Sequence, residues 1–161
     1  MISHPYVQLV RYKAWADSGL HDVVERNLER LNGEDTKILG LILDHIHVVD
    51  RIFQHHLQGL AHEFHAPRSD GPIDFRRLAD STREIDDWYE TYVWNLSERD
   101  FKEPVVFTFT NGSPARMTRG EIILHVCLHG TYHRGNAGLL LQKQGIAPND
   151  DRMTDFLEKA A

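Results

Sequence analysis

TRGEIILHVCLHGTYHRGNAGLLLQKQ, residues 118–144, decides the fold. Its first four residues, Thr118-Arg119-Gly120-Glu121, spell a capping box, in which a threonine side chain and a glutamate three residues on satisfy each other's free backbone N–H groups at a helix start. From Ile122 to Leu128 the segment is apolar almost all round, so this helix is expected to be the most buried of the chain. It runs to Gln144 and stops at Gly145. A helix that is apolar on every side needs other helices around it.

Three more helical stripes lie upstream. The first, from His4 to Arg30, carries Leu9, Val10, Ala16, Leu20, Val23 and Val24, with Asn32-Gly33 read as its stop. The second, from Asp35 to Gln58, carries Ile38, Leu41, Ile42, His45, Val48, Val49, Ile52 and Phe53. A loop rich in His, Pro and Gly follows over 59–72. The third helix, from Asp74 to Leu96, is striped by Phe75, Leu78, Ile85, Tyr89 and Val93. Residues 104–117 differ. VVFTFT is β-branched and aromatic, Asn111-Gly112 is a hairpin turn signal, and Pro114 confines the return strand to an edge. A short fifth helix is expected over 150–159. The sequence therefore predicts an all-α domain over residues 1–161, a four-helix bundle with a small β-hairpin before the fourth helix.

Composition agrees with one globular domain. The 161 residues are 41% hydrophobic and 26% charged, values of a chain that buries a core. With 18 basic against 24 acidic residues and a net charge of −6, no basic field favours nucleic acid. No run approaches the roughly 20 apolar residues of a membrane span. The N-terminus has no signal-peptide pattern. With Cys127 alone, no intramolecular disulfide can form; the thiol reads as a small buried apolar group. A cytoplasmic protein without nucleic-acid or membrane partners is expected.

Histidine is the unusual component, with 11 in the chain. His45 interrupts the apolar stripe of the second helix, where an imidazole needs partners for its nitrogens. His125, His129 and His133 recur at four-residue spacing and line one face of the fourth helix. Two histidines at i and i+4 can bind one metal ion, and bundle cores host such sites. A hydrogen-bonded core histidine is the plainer alternative for each. His55, His56, His62 and His65 straddle a helix end and a loop, and read as surface histidines without preorganised geometry. No HExxH, Glu-x-x-His, P-loop, GxGxxG or GxSxG motif occurs.

Tyr12-Lys-Ala-Trp15-Ala, Leu43-Asp-His45-Ile with Asp50-Arg51, and His129-Gly-Thr-Tyr-His133-Arg134-Gly135 together resemble the DinB/YfiT-like family of metalloenzymes, in the family's order and across essentially the whole chain. The resemblance implies an up–down–down–up arrangement of the four helices. It also implies one divalent metal ion held by His45, His129 and His133; three imidazoles suit zinc, nickel, iron or copper, with zinc or nickel expected first and iron next. Tyr132 and Asn136 stand where the family often has His and Gln. His125 falls outside the implied ligand set and is assigned to the pocket wall or to support of the ligands.

Three functions follow as expectations. The first is a metal-dependent enzyme, similar to thiol S-transferases, that activates a low-molecular-weight thiol or water for transfer to a small electrophilic substrate. The second is a non-catalytic, stress-associated metal-binding bundle, and the third a metal-free helical interaction module. No general base is named by the sequence: Tyr132, His125 and Asp44 lie near the candidate ligands, but read as core hydroxyl, core histidine and solvated helix surface respectively. A homodimer is expected from the resemblance.

Overall fold

The computed structural model describes residues 4–160, which form five α-helices and one two-stranded antiparallel hairpin. Helix α1 spans Pro5–Arg26, α2 Gly33–Gln58, α3 Phe75–Trp94, α4 Arg119–Lys143 and α5 Met153–Ala160. Strands β1, Pro104–Thr108, and β2, Pro114–Thr118, lie between α3 and α4. Helix α1 packs against α3 and α4, and α2 packs against α3 and α4.

The helix ends follow local chemistry. Pro5 occupies the first turn of α1, where its missing N–H costs nothing. Asp74 caps α3 by accepting from the N–H groups of Arg76 and Arg77 at 3.0 and 3.1 Å. At α4 both capping-box bonds exist: Thr118 Oγ1 accepts from the Glu121 N–H at 3.2 Å, and Glu121 accepts from the Thr118 N–H at 2.7 Å. Thr118 is also the last residue of β2, so the hairpin runs straight into α4. The hairpin pairs Pro104 with Thr118 through Thr108 with Pro114, and its turn places Gly112 at φ 87°, a conformation glycine adopts without strain.

Several boundaries and faces differ from the sequence reading. Helix α1 ends at Arg26, and Asn32-Gly33 begins α2 rather than closing α1. The buried line of α2 is Leu39, Leu43, Ile46, Asp50, Phe53 and Leu57, so Ile38 and Leu41 are exposed and His45 sits at the edge of the buried face. Asp44 is buried rather than solvated. Helix α4 buries Ile122, Ile123, Val126 and Cys127 but exposes Leu124, Leu128, Tyr132 and Leu139. Tyr132 is therefore no core hydroxyl.

The interior has two apolar clusters. One gathers Val7, Val10, Phe53, Tyr89, Ile122 and Ile123 with their neighbours; the other gathers Leu20, Val24, Leu39, Leu43, Leu78 and Leu141. Fully burying a side chain such as Ile122 contributes roughly 1.5–3 kcal/mol. Along α1 and α4, charged residues fall between the two clusters, Lys13 and Asp17 on one and Arg134 on the other, while Asp86 on α3 is buried beside Ile85. Lys13 Nζ lies 2.7 Å from Asp17 Oδ2, 2.7 Å from Asp50 Oδ2 and 2.6 Å from Asp86 Oδ1. Arg134 takes the other oxygen of Asp17 at 2.9 Å and reaches Asp151 Oδ2 at 2.7 Å. Burial alone would strip the proton from Lys13, but the three carboxylates hold it charged, well above its ordinary range.

Candidate metal centre

The site grows from the spacing on α4. His129 and His133 stand one turn apart, and the packing of α2 against α4 brings His45 to them. The His45 and His129 Nε2 atoms are 3.0 Å apart. The three ring centroids are separated by 4.8, 4.7 and 4.5 Å. Each residue can present one nitrogen within 4.8 Å of the other two, so His45, His129 and His133 could hold a metal ion.

The loop after α2 prepares the donor set. It folds back along its own helix, and the Nδ1–H of His45 donates to the Pro67 carbonyl at 2.7 Å. A carbonyl only accepts, so the proton of neutral His45 is on Nδ1 and its Nε2 carries the lone pair aimed at His129. Asp44 anchors the same loop by accepting the Ser69 N–H at 2.7 Å. Sequence reasoning missed this bracing, since no motif links residues 44 and 45 to a loop more than twenty positions on.

Burial at the meeting point disfavours protonation of two of the rings, which leaves their lone pairs free for a metal ion. Burial, with His133 and His45 alongside, pushes the His129 imidazole down to about 3. His133 is lowered by burial and then by His45. A proton shared by two nitrogens satisfies two of the rings, whereas a divalent ion satisfies all three. The residues present thus fit an ion bound by three imidazoles.

The other histidines stay apart from this centre. His125 lies with its ring centroid 5.8 Å from His129 and 4.9 Å from Phe53. Among the described residues, the groups of three able to hold a metal are the histidine triad and Asp17, Asp50 and Asp86, and Lys13 already occupies the latter. His55, His56, His62 and His65 assemble no such group. Nor are they all surface residues. His56 is half-buried, stacked on Phe107 with centroids 4.4 Å apart, and His55 donates from Nδ1 to the Arg51 carbonyl at 2.7 Å.

A family model for the DinB family matches residues 1–160. The chain belongs to the DinB family. No curated protein matches it. The family assignment covers both halves of the triad, so His45 on α2 and the His129/His133 pair on α4 of this DinB-family chain lie within one matched unit. No helix among the described residues is long and apolar enough to cross a membrane.

Proposed function

We propose that this DinB-family protein is a divalent-metal-dependent enzyme that activates a thiol or water for transfer to a small electrophilic substrate. One observation carries the reading: three imidazoles from two helices converge, and a backbone carbonyl fixes the tautomer of one of them. A divalent ion on three imidazoles keeps a fourth position for a thiol or water and eases loss of its proton. Zinc or nickel suits such a donor set, with iron next.

The chain's own residues supply the geometry. Pro67 aims His45. Arg134, next to His133 and tied to Asp17 and Asp151, holds the turn of α4 that carries His133. Burial keeps His129 neutral and able to donate its lone pair. The same reading takes α1 to α4 as one up–down–down–up bundle and the protein as cytoplasmic. It also takes the protein as a homodimer. The exposed row Leu124, Leu128, Tyr132 and Leu139 on α4 supports the dimer, because a monomer rarely leaves such a row uncovered.

The test is elemental analysis of the purified protein, followed by a screen of low-molecular-weight thiols against electrophilic acceptors with and without chelator. About one metal ion per chain and chelator-sensitive transfer are expected. Protein without metal would sink the reading. Tightly held metal with no transfer to any acceptor would replace it with a non-catalytic metal-binding role.

A further inference from the structure

Beside the triad lies an open groove of 230 Å³, with Val49, Ile52 and Phe53 as its buried floor, His129 in its wall and an exposed rim. Pro67, which orients His45, lines it too. The groove therefore reaches one ligand of the candidate centre, His129, and the residue that braces a second. Three larger grooves, of 370, 390 and 620 Å³, have no triad histidine in their walls.

The wall chemistry is mostly apolar. Helix α2 contributes Val49, Ile52 and Phe53, and the hairpin turn contributes Phe109. The polar groups are few, with Thr110, Asn111 and His125 joining His129. The His125 side chain, at the exposed rim, makes no hydrogen bond to a described residue. Such a wall offers little to a charged or heavily hydroxylated molecule, whose polar groups would lose water without replacement.

Size narrows the occupant further. A sealed apolar cavity of about 150 Å³ accepts benzene, and the volume here sets the size of the group that can rest on the buried floor. At 230 Å³ the present groove holds a single ring and a short extension. We propose that this groove seats an apolar group the size of one six-membered ring, on a substrate whose polar end reaches His45, His129 and His133. The proposal rests on the metal-enzyme reading only for the polar end; the apolar seat stands on the groove itself. The hairpin is then a specificity element, since its turn closes one side of the seat.

Two measurements separate the seat from the metal. In the first, toluene is titrated into the full-length chain stripped of metal, and the methyl NMR signals of Ile52 and Val49 are followed. Saturable shifts centred on these methyls are expected, weakened in Phe109→Ala, a change at an exposed turn that leaves the core intact. Absent or non-saturable shifts, or shifts only at the larger grooves, would overturn the proposal. In the second, the cobalt(II)-loaded protein is titrated with benzohydroxamate and acetohydroxamate. Benzohydroxamate should bind at least about tenfold more tightly, because only its ring enters the seat. Val49→Phe, which fills the groove, should erase that preference while leaving the cobalt absorption spectrum unchanged. Equal affinities in the unmodified protein would overturn the proposal. If cobalt does not bind, the enzyme reading fails and the toluene titration alone decides the seat.

Discussion

Lys13 Nζ lies 2.6 Å from Asp86 Oδ1, and both side chains are buried. An ammonium in that position is tolerable only because carboxylates surround it. Removing it leaves Asp50 and Asp86 without a counter-charge and Asp17 with Arg134 alone.

Lys13→Met should therefore destabilise the protein by about 3–5 kcal/mol, the usual cost of breaking a buried pair from one side. Lys13→Met combined with Asp86→Asn should recover part of that loss, since one carboxylate no longer needs compensation. Urea unfolding of the two variants measures both effects. A single variant as stable as the parent would mean that the cluster is not buried as described.

For the triad, His45→Ala, His129→Ala and His133→Ala should each weaken metal binding by more than about a hundredfold, beyond what loss of a supporting residue costs. His125→Ala should change it far less, because its ring stands 5.8 Å from that of His129 and outside the converging set. Joint replacement of His55, His56, His62 and His65 should leave the tight site intact. Metal titration with stoichiometry for each variant decides among these. Unchanged affinity in His45→Ala would remove α2 from the site.

Part of this was readable in advance. Thr118 and Glu121 announced the start of α4, Asn111-Gly112 announced the hairpin, and the spacing of His129 and His133 placed both on one face. Joining His45 to them took the family resemblance, because periodicity within a helix does not say which helix lies opposite. The buried charges went unread for a different reason. Val10, Lys13, Asp17, Leu20 and Val24 follow one another at three- and four-residue steps, so Lys13 and Asp17 share the phase of the apolar stripe. Asp50 stands likewise between Ile46 and Phe53. The helical phase of these charged residues, like that of the histidines, marks them as buried. The bracing of His45 by Pro67 had no such signal, since it depends on the path of an irregular loop.

Acid should destabilise the protein before its ordinary carboxylates titrate. Burial lowers the His47 and His56 imidazoles to about 4 from an ordinary 6.5. As pH falls from 6.5 towards 4, the unfolded chain takes up protons there that the native protein does not, so stability is lost. Asp50 acts in the opposite sense. Burial raises its carboxyl to about 6, so the native protein gains a proton first and gains stability as pH falls from 6 to 3.8. Asp50→Asn should thus steepen the acid loss, and His47→Asn should flatten it. Unfolding midpoints recorded across this range give both slopes; parallel slopes in all three proteins would contradict these assignments.

Cys127 should be inert in the folded protein. It is buried, and burial pushes its thiol up to about 12, leaving almost no thiolate to react. A chromogenic disulfide reagent should modify it only at the rate of unfolding. Rapid labelling under native conditions would show that α4 opens around it.

Lys13 takes its carboxylates from α1, α2 and α3, and Arg134 on α4 shares one of them. A half-assembled form with one of these helices undocked would hold a charge out of water with too few partners. Such forms lie high in free energy, which disfavours populated intermediates. The slowest-exchanging amides of the four long helices should consequently share a single opening energy, while the hairpin, outside this charged layer, opens on its own.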